Sequence, residues 1–263
     1  VSVTWDPDRY SAFAGERERP FADLVARVRT ADVRFVVDLG CGPGTATVQL
    51  LERWPAARVV GVDSSPAMLA RAARAARAPR LFFEQADLTT WEPDEPPDVV
   101  VANAVFQWVP DHVEVIGRFA ALLAPGGSLA LQVPGNFGEP SHTSMRELAA
   151  SGRWRLPAGL LRQSPVLEPA GYLSVLTGLG LDADVWETTY LHVLSGANPV
   201  LDWVRGTALR PLLAVLDDRD AASFEAEYAT ALREAYPPDA AGRTVLPFRR
   251  IFAVGRRPER SDG

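Results

Sequence analysis

The sequence predicts an α/β fold in which a mostly parallel sheet is covered by helices on both faces. Three observations predict it. Short β-branched runs alternate with helical stretches over the first half of the chain, and that alternation means right-handed crossovers between parallel strands. One run, Asp98-Val99-Val100-Val101-Ala102, is nearly all apolar, as a central parallel strand buried on both faces should be. The first run leads straight into a glycine turn and then a helix, Asp38-Leu39-Gly40-Cys41-Gly42-Pro43-Gly44. Such a turn lets a ligand approach the backbone closely.

The elements follow in order. Arg34–Leu39 is the first strand, and residues 45–54 form a helix with Val48, Leu50 and Leu51 on or beside one face. Arg58–Val62 is the second strand. Ser65-Pro66, an N-cap and first-turn pair, opens an Ala/Arg-rich helix to about Ala78. Leu81–Phe83 is the third strand and Asp98–Ala102 the fourth. Asp111 begins the next helix, with Glu114 at the capping-box position and Val113, Ile116, Ala120 and Leu123 as its buried stripe. Pro125-Gly126-Gly127 ends that helix, and Ser128–Val133 is the fifth strand. Residues 134–181 are rich in Pro, Gly and Ser, with short helices around 141–150 and 169–179. Asp184–Leu194 and Phe248–Val254 complete seven strands. Between them lie a helix from Asn198-Pro199, divided by Gly206 and Pro211, and another over 218–235.

Composition excludes several functions. The chain has 263 residues, 27 basic against 33 acidic, for a net charge of −6. That suits one large domain and argues against a non-specific nucleic-acid binder. Every basic residue is arginine. A Schiff base through a protein lysine and the lysine of a phosphate loop are therefore both impossible. The single cysteine, Cys41, cannot form an internal disulfide, and with only His112, His142 and His192 beside it no metal site is expected. No apolar run approaches the ~20 residues of a membrane span. The charged first twenty residues do not read as a secretory leader, so a cytoplasmic location is expected.

The glycine turn is followed by Val60-Gly61-Val62-Asp63, which places an acid at the tip of the second strand, suited to ribose hydroxyls. A dinucleotide fingerprint wants a glycine at 45, where this chain has Thr. Asp38 would repel a pyrophosphate but suit an ammonium or sulfonium group. That favours S-adenosylmethionine over NAD and over an oxidoreductase. Asp87 follows the third strand and can accept from an adenine amino group. Asn103 ends the fourth, so Asp38, Asp63, Asp87 and Asn103 all fall at the carboxyl ends of strands, where open α/β sheets bind ligands. Cys41, with nothing basic adjacent, reads as a packing residue.

On these motifs the first ~135 residues resemble the class I S-adenosylmethionine-dependent methyltransferases. The likeness extends along the chain to their trans-aconitate-methylating branch. It is carried by Trp5-Asp6-Pro7 with Tyr10 and Phe13, Arg19–Leu24, Asp38–Gly44, Asn103-Ala104 with Gln107-Trp108, Asp111-His112, Gln132–Asn136, Pro140-Ser141-His142, Gly206–Pro211 and Pro247–Arg250. Thr45, where relatives often carry Asn, and the unmatched segment 151–168 depart from it. The resemblance implies a Rossmann-like sheet of seven strands with the last antiparallel, plus a late helical insertion. It divides one domain into a lid over 1–30, a cofactor core over 31–133, substrate-pocket insertions over 134–246 and a last strand over 247–255. Cofactor contacts would come from Asp38, Gly40, Cys41, Gly42, Gly44, Asp63, Ser64, Met68, Asp87, Leu88, Asn103 and Ala104. A small tricarboxylate would meet Gln107, Trp108, Asn136, His142 and Arg210.

The implied reaction is carboxyl O-methylation of trans-aconitate to a monomethyl ester and S-adenosylhomocysteine. A carboxylate is already deprotonated at neutral pH, so no essential acid or base is expected. Other readings keep the cofactor and change the acceptor to a malonyl thioester, carbon or nitrogen, or drop catalysis for a module that only binds S-adenosylmethionine.

Overall fold

The computed structural model describes residues 14–76, 79–157, 159–161 and 164–259. Residues 1–13 of the expected lid, with Trp5, Tyr10 and Phe13, lie outside the described residues. Among the described residues seven strands form one sheet: β1 (Phe35–Leu39), β2 (Arg58–Asp63), β3 (Leu81–Gln85), β4 (Val99–Asn103), β5 (Ser128–Pro134), β6 (Asp182–Ser195) and β7 (Arg243–Arg256), in the order β3-β2-β1-β4-β5-β7-β6. Strands β1 to β5 pair in parallel, and β7 runs antiparallel to β5. The implied topology is therefore present. β1 is buried along its whole length, and Val99 to Ala102 of β4 are buried as well, as the apolar runs required.

The described chain falls into two compact units, one comprising 14–134, 166–188 and 250–259, the other 135–165 and 189–249. The first holds β1 to β5 with α1 (Ala14–Ala26), α2 (Thr45–Arg53), α3 (Pro66–Ala72), α4 (His112–Leu122) and α6 (Pro169–Gly178). The second holds α5 (Pro140–Ala149), α7 (Pro199–Arg205), α8 (Arg210–Leu213) and α9 (Asp218–Ala235).

In the first unit α1 buries Phe21, Leu24 and Val25. Beyond its end, Thr30 Oγ1 and Ser128 Oγ of β5 share a 2.7 Å hydrogen bond. Ser65 caps α3 as its sequence implies, its Oγ accepting from the Met68 N–H at 3.4 Å. That helix ends at Ala72 and tightens into a 3-10 turn over Ala73–Ala75, short of Ala78. Ala and Arg supply helix propensity there but no large apolar side chain, and packing is what sustains a helix.

The start of α4 departs from expectation. Asp111 is left-handed, with φ 53, and makes no side-chain cap bond, so the capping box does not form. An N-cap needs extended backbone to aim its oxygen at the first turn. The buried stripe is His112, Val115, Ile116, Phe119 and Ala120, with Leu123 beyond the end; Val113 is only half-buried. A buried histidine shifts the face because its Nε2 finds the Tyr172 hydroxyl of α6 at 3.1 Å.

The second unit has its own core. Trp154, Trp203, Phe224, Tyr228 and Phe248 are buried there with Met145, Leu209 and Leu212. Trp154 meets Phe224 edge-on at 5.4 Å between ring centroids. Each such aromatic contributes about 2–3 kcal/mol by burial, enough for α5 and α9 to hold together by side-chain packing.

Candidate active site

The cofactor candidates gather in the first unit at the carboxyl ends of β1, β2, β3 and β4. The glycine turn spends its own N–H groups inward. Gly40 and Cys41 both donate to the Val62 carbonyl, at 2.7 and 3.1 Å, and Gly44 donates to Cys41. Gly42 donates to Asp63 Oδ2 at 2.9 Å, while Asp63 Oδ1 accepts from the Ser65 N–H at 2.8 Å. A phosphate needs such N–H groups turned outward. Here four are bonded to the chain's own acceptors, so the turn is not a pyrophosphate cradle. It instead locks the Asp63 carboxylate in place at the rim, with lone pairs left over for hydroxyl donors.

Asp38 is buried, and its Oδ2 accepts a 2.6 Å hydrogen bond from Thr47 Oγ1 of α2. Burial pushes its carboxyl up to about 7, with the neighbouring Asp63 adding to the rise against the pull of Thr47. Near neutrality Asp38 is therefore an acid poised between its forms, not the fixed anion expected from sequence. From sequence Thr47 is legible only as a helix residue, and its role shows through the turn that brings it beneath Asp38. Cys41 is buried, and burial together with the Asp38 and Asp63 carboxylates raises its thiol far above the ordinary range. A thiol held protonated is unreactive. A disulfide-exchange reagent at pH 8 is expected to leave Cys41 unmodified in the folded protein and to titrate one thiol after denaturation. Rapid labelling of the native protein would contradict this packing.

Met68 is buried, Leu88 half-buried, and Ser64 exposed. Asp87 is exposed and lies below the usual carboxylate range, because Thr89 donates to it from its hydroxyl, at 2.7 Å, and from its N–H, at 2.9 Å. Asn103 ends β4 with a buried Oδ1 that has no partner among the described residues. Ala104 follows at φ 54, a conformation alanine rarely adopts, and is anchored by its N–H to the Gln132 carbonyl at 2.8 Å. Gln107 is buried and donates to the Ala104 carbonyl at 2.6 Å, leaving Oε1 without a partner among the described residues. Trp108 is 39% exposed. The open turn at Gly42, the locked Asp63 and the unspent Asn103 oxygen fit a neutral nucleoside joined to a cationic amino-acid moiety.

The other candidates belong to the second unit. Asn136 is buried with its Oδ1 unpartnered among the described residues. His142, in the first turn of α5, is buried against Phe137, and its Nδ1 lies 3.1 Å from Ser141 Oγ. Burial, aided by Arg146, pulls its pKa down to about 4, so the imidazole is neutral at pH 7. The same turn is tied to the helical core: Tyr236 Oη accepts from the Ser141 N–H at 3.1 Å, and the Tyr228 hydroxyl donates to the Ser141 carbonyl. Arg210 opens α8 half-buried, its N–H bonded to the Thr207 carbonyl. Among the described residues no group of three or more His, Cys, Asp or Glu could hold a metal ion, and no helix is long and apolar enough to cross a membrane.

A family model for a methyltransferase domain matches residues 36–127. A trans-aconitate 2-methyltransferase of Streptomyces avermitilis is 54% identical over 262 residues, covering 97% of this chain and 97% of that one. The chain belongs to the trans-aconitate 2-methyltransferase family. The enzyme of the same name from Streptomyces coelicolor is 55% identical over 271 residues, 99% of this methyltransferase and 89% of its own length. Among solved structures, the YcgJ protein of Bacillus subtilis superposes with a TM-score of 0.60 at 13% identity, covering 92% of this chain and 99% of that one, a likeness of fold alone. The aligned identity runs through both units of the methyltransferase. It therefore includes the helices after β5.

Proposed function

We propose that the chain is an S-adenosylmethionine-dependent carboxyl O-methyltransferase that makes the monomethyl ester of trans-aconitate. The observation that carries this reading is the near-full-length identity to trans-aconitate 2-methyltransferases. The donor-saturated, acid-lined turn supports the cofactor. Bound there, S-adenosylmethionine supplies an electrophilic methyl group and leaves as S-adenosylhomocysteine. Asp63 is the proposed ribose contact, Asp87 the adenine contact, and Asp38 with Asn103 the partners of the amino-acid end. Gln107, Trp108, Asn136, His142 and Arg210 are proposed contacts of a small-molecule tricarboxylate.

No residue needs to remove a proton, because the attacking carboxylate has none at neutral pH. The neutral state of His142 agrees with that division of labour: it can donate one hydrogen bond but does not arrive as a cation. The test is methyl transfer to trans-aconitate read by mass spectrometry, with citrate, cis-aconitate and a malonyl thioester in parallel. The expected result is one ester, from trans-aconitate. Cofactor binding with product only from another acceptor would overturn the substrate. His142→Ala is expected to keep turnover within about tenfold of the parent, the scale on which losing one uniform binding contact acts. Complete loss in a folded, cofactor-binding variant would establish an essential role for it.

A further inference from the structure

The register of the sheet lines up polar side chains on one face. Asp38 pairs with Val101, Asn103 with Gln132, and Pro134 with Arg250. Residues opposite one another, and residues two apart along a strand, share a face. Asp38, Asn103, Gln132 and Arg250 therefore lie on the same face, in that order across β1, β4, β5 and β7, all within the first unit. Gln132 is fully buried and Arg250 only 6% exposed. An Arg250 terminal nitrogen donates to Gln132 Oε1 at 3.5 Å, while the buried Gln132 Nε2 has no partner among the described residues.

A buried glutamine within the apolar run of β5, Leu129-Ala130-Leu131-Gln132-Val133-Pro134, costs free energy unless its amide is used. Its oxygen is used by Arg250. What remains is an N–H₂ pair beside a guanidinium that never loses its charge. Both groups are donors. An acceptor-only anion satisfies the Gln132 donors, and a carboxylate also complements the guanidinium's charge. Asn103 and Asp38 on the same face are the proposed partners of the cofactor's amino-acid end. Gln132 and Arg250 lie on the opposite side of Asn103 from Asp63, the proposed ribose contact.

We infer that Gln132 and Arg250 form the subsite that holds a non-reacting carboxylate of the acceptor. The inference rests on the proposed carboxyl methyltransferase reading. It assigns substrate specificity to two residues that the family resemblance did not place in the site. Gln132 contributes its Nε2 donors and presents Arg250; Arg250 contributes the charge.

The decisive variant is Gln132→Glu in the full chain. Its new carboxylate is placed to pair with Arg250 and to occupy the subsite from within. The expected result is a KM for trans-aconitate raised at least tenfold, kcat within a few-fold, S-adenosylmethionine affinity unchanged, and a Tm equal to or above the parent's. Gln132→Met, which removes the donors without adding charge, should shift KM the same way and by less. Arg250→Met should narrow the preference for trans-aconitate over a dicarboxylate lacking one carboxyl group, fumarate or trans-glutaconate, by at least tenfold. A structural role alone would lower Tm and reduce both acceptors together. Unchanged KM in Gln132→Glu and Gln132→Met overturns the inference. So does a loss of S-adenosylmethionine affinity with KM unchanged, which would give the pair to the cofactor's own carboxylate. If the parent protein does not methylate trans-aconitate, the functional reading fails separately. The subsite is then read by calorimetric binding of propane-1,2,3-tricarboxylate with S-adenosylhomocysteine present: binding that Gln132→Glu abolishes supports it, and no binding by the parent overturns it.

Discussion

Gly40→Ala is expected to cost about 2–5 kcal/mol of folding stability, whereas Gly42→Ala, two residues on, should cost about 1 kcal/mol and act on cofactor binding instead. Both glycines have positive φ, +68 and +54, so both substitutions carry the left-handed strain of an L residue. The difference lies in what the added methyl meets. At Gly40 it would fall 2.4 Å from Val105 Cγ2 and 2.6 Å from Val105 Cβ. Val105 follows the strained Ala104 and the rim residue Asn103, so any relief displaces the end of β4. At Gly42 the methyl would meet nothing within 4 Å. Open space beside a locked Asp63 is the place of the proposed nucleoside, and a methyl there would occupy it. Urea unfolding and calorimetric titration with S-adenosylmethionine separate the two effects. The expected pattern is a large fall in midpoint for Gly40→Ala, and a near-parental midpoint with at least tenfold weaker binding for Gly42→Ala. Parental affinity in Gly42→Ala would mean that the cofactor does not approach this turn.

How much of this is legible in the sequence depends on whether a signal is local. The strands β1, β2, β4 and β5 are legible because a fully buried parallel strand leaves an apolar run bounded by turn residues. The cap at Ser65 is legible because Ser-Pro acts through adjacent atoms. The capping-box pattern at Asp111 misleads because it is necessary but not sufficient: one left-handed residue redirects the side chain. The stripe of α4 shifts from its expected position because His112 counts as polar until Tyr172, 60 residues away, satisfies it. The candidate site divides in the same way. The acids at strand ends can be placed from spacing alone. The partnership of Asp38 with Thr47 and that of Gln132 with Arg250 cannot, since the first requires the turn that folds α2 beneath β1 and the second a register set by the folded sheet. A polar residue inside an apolar strand is the available signal for Gln132.

The same register explains why the face around Asp38 can hold so many polar groups. Asp63 is held by two backbone N–H groups and Asp38 by a hydroxyl. The nearby Asp63 charge contributes to the upward shift of Asp38. Without a cation to share, the more deeply buried of two neighbouring acids resists ionisation. A ligand bringing an ammonium or sulfonium group removes that conflict, and charge complementarity of this kind falls on binding rather than on folding.

Asp38→Asn is the variant that measures it. In the folded protein the Asp38 carboxyl is raised from an ordinary 3.8 to about 7. The folded state therefore binds a proton that the unfolded state has already lost between these values. The sign follows: stability falls as pH rises from about 4 to about 7 and stays low above it, the reverse of a salt-bridged carboxylate. The substituted asparagine does not titrate and keeps an oxygen for the Thr47 hydroxyl. Asp38→Asn is thus expected to match the parent near pH 4 and to exceed it above pH 7, by at most about 4 kcal/mol. Urea unfolding across pH 4–8 reads this directly, and parallel stability curves would show that the burial cost of Asp38 is relieved in some other way. Cofactor affinity should move oppositely. In the parent it should strengthen with rising pH through about 7, with proton release on binding, since a cationic ligand favours the ionised acid. In Asp38→Asn both the affinity and its pH dependence should fall away. A parental affinity that is flat from pH 5 to pH 8 would mean that Asp38 remains with Thr47 and serves the fold alone.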